Sequence, residues 1–158
     1  MPVVFLGSLG PLLIVLHALA AITLGGASVH HAVIATQVLR GRPLRRRLAR
    51  LYSLVTLGAY ALSMVTGGLA YPRYRYFVRG LYLDRYAPWA SNLFDFKENL
   101  ATLGLPLAIG AFVVARELSR HTLPYSARLL YGWLALGTAV ISLFNLIAGL
   151  LCTSVRGL

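Results

Sequence analysis

The chain has 158 residues, of which 58% are hydrophobic and 12% charged, with a formal net charge of +11 at pH 7. That charged share is about half of what an ordinary soluble domain carries, so a bilayer is the expected solvent. The basic excess does not suggest nucleic acid, because arginines confined between apolar spans make a poor groove-tracking surface.

Crossing about 30 Å of hydrocarbon takes about 20 helical residues. From Met1 to Leu39 the sequence holds no Asp, Glu, Lys or Arg, and Pro11 suits a helix start, where its missing N–H is not needed. Helix one is expected over about 10–39. A secretory signal peptide would need a positive n-region, whereas the first charge here is Arg40, so this segment is expected to be retained. The uncharged run Leu51 to Tyr71 predicts helix two over about 48–71. The shorter run Asn99 to Ala115, extended by a snorkelling Lys97, predicts helix three over about 96–118. Leu129 to Val155, preceded by Pro124, predicts helix four over about 124–152. The fold class is therefore an all-α integral membrane protein, a four-transmembrane-helix bundle forming one domain over 1–158.

Arg40, Arg42, Arg45, Arg46, Arg47 and Arg50 follow helix one, and Arg116, Arg120 and Arg128 follow helix three. Basic loops stay cytoplasmic, which puts both termini on the non-cytoplasmic side of a bacterial-type inner membrane. Arg73, Arg75, Arg79, Arg85, Lys97 and Arg156 fall on the opposite side.

The segment between helices two and three, residues 71–96, holds nine of the seventeen aromatic residues interleaved with arginines. Amphipathic rings collect at headgroup level and arginines reach phosphates, so an aromatic- and Arg-rich interfacial loop, at least partly helical, is expected. The competing reading is a lid over a ligand or a dock for a partner subunit, with Arg73, Arg75 and Arg79 pairing with carboxylates or phosphates. Asp95 and Glu98 match a variant capping box at the start of helix three. Cys152, the single cysteine, reads as a small apolar filler.

Helix one carries His17, His30 and His31, and ionisable side chains inside a membrane usually mark a site or face the bundle interior. At about 100° per residue His17 and His31 return to nearly the same face, about 21 Å apart, while His30 points the other way. Ala20, Ala21, Leu24 and Ser28 lie on that side, with Gly25 nearby. The arrangement resembles the helices of membrane-bound b-type cytochromes, in which histidines on one helix ligate two haems stacked across the bilayer. The resemblance covers this one helix and implies haem b, with His17 and His31 as candidate iron ligands. Helices two, three and four hold no histidine, so a second axial ligand must come from elsewhere. Met64, at a depth of about 10 Å like His17, is the candidate on helix two. A homodimer could also supply one.

The sequence has no H-E-x-x-H, no G-x-S-x-G, no P-loop and no paired intramembrane carboxylates, so a stand-alone enzyme is not expected. Three functions fit the residues. The first is an electron-transfer subunit binding haem b through His17 and Met64, with Arg73, Arg75 and Arg79 near the propionates. The second is a non-catalytic accessory subunit packing against other membrane subunits. The third is a quinone- or lipid-binding membrane subunit, with His30 or His31 donating to a ligand carbonyl and no bound metal.

Overall fold

A computed structural model of the chain describes residues 6–121 and 124–157. A short 3-10 turn at Gly7–Leu9 leads into α1, Gly10–Leu39, followed by α2, Arg46–Tyr74. A π-helical stretch, Arg75–Leu83, and the single turn α3, Asp84–Tyr86, continue from α2. Two long helices complete the chain, α4 at Pro88–Arg120 and α5 at Tyr125–Val155. The described residues are all-helical with no strand, and four helical spans among them are long and apolar enough to cross a membrane.

Packing between these helices is made by small residues. Ala35, Ala49, Ala111, Ala115 and Ala135 are all fully buried, while Leu12, Val15, Leu19, Ile22, Leu103 and Leu150 point outward. Where lipid tails are as apolar as leucine, helix association relies on close approach rather than on burying bulk, and small side chains permit it. Gly104 is the tightest case: a Cβ there would lie 2.0 Å from the Tyr60 hydroxyl. Tyr60 crosses that gap from α2 and donates to the Ala101 carbonyl of α4 at 2.9 Å.

The segment expected as an interfacial loop, at least partly helical, is helical on both sides of a single break at Ala87. From Arg46 to Tyr86 the chain runs as one helical span of 41 residues. At about 1.5 Å per residue that is roughly 60 Å, about twice the thickness of a hydrocarbon core. Pro72 lacks the N–H for the helical ladder and lies just before the π-helical stretch, where the winding loosens. The rod breaks at Ala87 (φ −145°, ψ 61°), because the residue before a proline is driven out of the helical region. Pro88 then occupies the first turn of α4, a position that proline favours.

Helix three of the sequence reading thus begins at Pro88, eight residues before the expected start. Asp95 is consequently in a helix interior rather than a cap. It accepts from Arg79 through both carboxylate oxygens, at 2.5 and 2.7 Å. Arg79 also lies 3.5 Å from Asp84, whose carboxylate accepts from the Ser91 hydroxyl. These pairs tie the π-helical stretch to α4 across the Ala87 turn.

Candidate functional site

His17 sits two turns into α1 and presents its ring to α2. Its Nδ1 donates to the Ser63 carbonyl at 2.9 Å, with Thr66 Oγ1 at 3.5 Å. A carbonyl can only accept, so Nδ1 carries the proton and the neutral ring leaves its lone pair on Nε2. The ring seats on Gly67, where a Cβ would come within 3.0 Å of His17 Cε1. Ser63 and Gly67 of α2 together therefore form the seat of the His17 ring.

Beside the ring lies a cavity of about 140 Å³ to which all four long helices contribute. Ile14 and His17 come from α1, Tyr71 and Tyr74 from α2, Phe94 and Lys97 from α4, and Cys152 from α5. Phe94 stacks on Tyr74 with ring centroids 4.4 Å apart and on Tyr71 at 6.1 Å, so one wall is a cluster of stacked aromatic rings. Lys97 Nζ lies 4.2 Å from the Phe94 centroid and donates to Glu98 at 2.9 Å. The Tyr74 hydroxyl is buried with no hydrogen-bond partner. Cys152 turns its thiol to the Ala90 carbonyl, 3.6 Å away.

The chemistry of the lining is specific. It combines the aromatic side chains of Tyr71, Tyr74 and Phe94 with His17, whose ring keeps a lone pair on Nε2, and the Lys97 ammonium; the Tyr74 hydroxyl itself is buried. That set suits a planar ring bearing polar oxygens. The volume agrees with this: an apolar cavity of about 150 Å³ is known to hold one benzene ring, while sites for larger ligands run about 300–1,000 Å³.

The other residues expected at a site lie apart from this cavity. Met64 packs against Leu24, Ala59, Tyr60 and Ala108, nearer the middle of the bundle, and does not line the cavity. His31 is 1% exposed, and its ring meets Tyr131 with centroids 5.6 Å apart. The Ser53 hydroxyl donates to Ala49 at 2.7 Å, so His31 Nε2 donates to Ser53 Oγ at 3.1 Å. Nδ1 of His31 is left buried without a partner. His30 donates to the Gly26 carbonyl at 2.9 Å and stacks on Tyr52.

The three arginines do not line the cavity either. Arg79 is held by Asp95 and Asp84, and Arg75 is exposed. Arg73 folds over the start of α1, where a Cβ on Gly10 would meet its Cδ at 2.6 Å, and lies 6.0 Å from the Phe77 centroid. Among the described residues no group of three or more His, Cys, Asp or Glu side chains converges as a metal site.

Sequence reasoning singled out His17 but missed Tyr74, Phe94 and Lys97 as its companions. Their signal was present in the aromatic run and in Lys97, the one lysine of the chain. Searches against protein-family models, curated proteins and solved structures found no match for the chain.

Proposed function

We propose that this protein is a membrane subunit that binds a quinone-type headgroup in the cavity beside His17. The observation that carries this reading is one ring-sized cavity lined by aromatic side chains and by His17, whose Nδ1 is held by the Ser63 carbonyl so that Nε2 is left as an acceptor. A quinone carbonyl accepts from Tyr74, and the hydroxyl of the reduced form donates to His17 Nε2. Lys97 stands at the same wall, where its N–H groups reach a second oxygen. The chain supplies binding and orientation, and electrons pass to other subunits of a larger membrane complex. Both arginine loops face the cytoplasm, the termini lie on the opposite side, and the aromatic helical hairpin lies at headgroup level of a bacterial-type inner membrane.

Thermal unfolding in mild detergent tests this reading. A short-chain quinone is expected to raise Tm in a dose-dependent way, and His17→Ala and Tyr74→Phe are each expected to abolish the rise. A well-folded protein whose Tm ignores the quinone would sink the proposal.

Haem b on His17 is the second reading, favoured by one observation. A histidine whose Nδ1–H is held by a backbone carbonyl has the orientation that metal-ligating histidines use. The residues present do not fit the whole group, because the cavity takes a single ring and Met64 does not face it. A Soret band in the purified protein, lost in His17→Ala, would decide for haem instead.

A further inference from the structure

The opposite end of the bundle carries a second recess that the quinone reading does not use. Nine of the fifteen cationic side chains belong to the two loops and helix ends there, facing one acid, Glu117. The His17 end holds the other six cations with the remaining three acids. Charge is therefore balanced far less at the arginine end, and like charges crowd together without neutralisation.

Within that end Pro43, Leu44, Arg46, Leu118 and Arg128 enclose a cavity of about 190 Å³. Arg46 opens α2 and Arg128 lies in the first turn of α5, so two arginines from different helices line one recess. Among the described residues neither forms an ion pair; Glu117 lies 4.0 Å from His121 instead. Leu44 and Leu118 supply an apolar wall, and Leu118 is only 2% exposed. Two forked donors over an apolar floor match a tetrahedral oxyanion attached to an apolar body. The two arginines lining one recess carry the inference; the first turns they belong to, which have no side-chain cap and no acid, add to the same positive field.

We propose that the recess between Arg46 and Arg128 binds a phosphate group, either as the headgroup phosphate of an anionic phospholipid or as a free phosphate anion. Each guanidinium donates to the phosphate oxygens, and the bound group neutralises the junction where the chain leaves α1, enters α2 and begins α5. Basic recesses between membrane helices are a recurring way of holding lipid phosphates.

The test uses the full chain purified in a neutral detergent. Inorganic phosphate is titrated by calorimetry, and phosphatidylglycerol retention is read by native mass spectrometry against phosphatidylcholine. Wild type is expected to bind at least one of the two phosphate probes in preference to phosphatidylcholine. Arg46→Gln/Arg128→Gln is expected to weaken that binding by about tenfold or more, since two charge-assisted hydrogen bonds are lost. Arg42→Gln/Arg120→Gln, which removes the same charge from the same end outside the recess, is expected to leave it within about twofold. Phosphate binding without lipid retention identifies the free anion as the ligand, and lipid retention without phosphate binding identifies the headgroup. No binding of either probe overturns the proposal. Equal weakening by both double variants also overturns it, because a diffuse field and not a site would then be responsible. If the Gln pair fails to fold, Arg46→Lys/Arg128→Lys keeps the charge but not the fork, and a loss of affinity is still required.

Discussion

His17 and His31 are the same residue on the same face of one helix, fourteen positions apart, yet the bundle uses them differently. At His17 the facing helix presents Ser63 and Gly67, so the ring is held by Nδ1 and its Nε2 lone pair is left to a cavity. At His31 the facing residues are Ser53 and Tyr131, so Nε2 is the donor and the lone pair on Nδ1 is sealed among buried groups. The difference teaches that periodicity along one helix identifies an inward face, while the partner helix decides which ring nitrogen is free and whether anything can reach it.

That contrast can be broken by substitution. His31→Ala is expected to be the most damaging, costing about 3 kcal/mol, because a large buried side chain and its hydrogen bond are lost together. Reversible unfolding in mixed micelles, followed by circular dichroism, measures it. His17→Ala is expected to cost only about 1 kcal/mol in the same assay, one partly exposed hydrogen bond, while removing quinone-dependent stabilisation. Equal stability costs at the two sites would end the distinction between a sealed histidine and a ligand-facing one.

A smaller effect is expected at the helical hairpin that roofs the His17 end. The coupling between Arg79 and Asp95 in a double-mutant cycle is expected to be about 1 kcal/mol, because Asp95 is 47% exposed and the pair is screened. Its loss would loosen the turn at Ala87 and weaken quinone binding more than overall stability. The smallest change is expected from Tyr74→Phe, which removes an unpartnered hydroxyl. Stability of the ligand-free protein is expected to hold or rise by about 0.5 kcal/mol, while the response to quinone disappears. Tyr131→Phe is expected to match it in stability with quinone response intact, since Tyr131 lies at the other end of the bundle. A Tyr131→Phe variant that also lost the response would show that the two ends are coupled.

Much of the site lay within reach of the sequence, but unevenly. The uncharged run before Arg40 placed His17 inside a span, and the expected bounds of helix one coincide with Gly10–Leu39. The start of α4 was misjudged because charge marked the edge of the apolar run, whereas Pro88 marked the edge of the helix. Asp95 then resembled a cap by spacing alone, and only its distance to Arg79 shows it to be a long-range ion-pair partner. Met64 matched His17 in depth, but depth leaves azimuth open, and Met64 packs against the cluster of Leu24, Ala59, Tyr60 and Ala108.

Hydropathy and charge follow from composition in order along the chain, so the sequence by itself determined that four helices long and apolar enough for a membrane would form. It also determined that nine arginines would gather in two of the connections and the helix ends that flank them. Which helix faces which is decided by side-chain fit between segments far apart in sequence: Gly67 under His17, Gly104 under Tyr60, Phe94 between Tyr71 and Tyr74. Those contacts span forty residues or more in the first two cases and about twenty in the third, and no local periodicity encodes them. The ring-sized cavity at one end and the recess lined by Arg46 and Arg128 at the other exist only once the helices have packed.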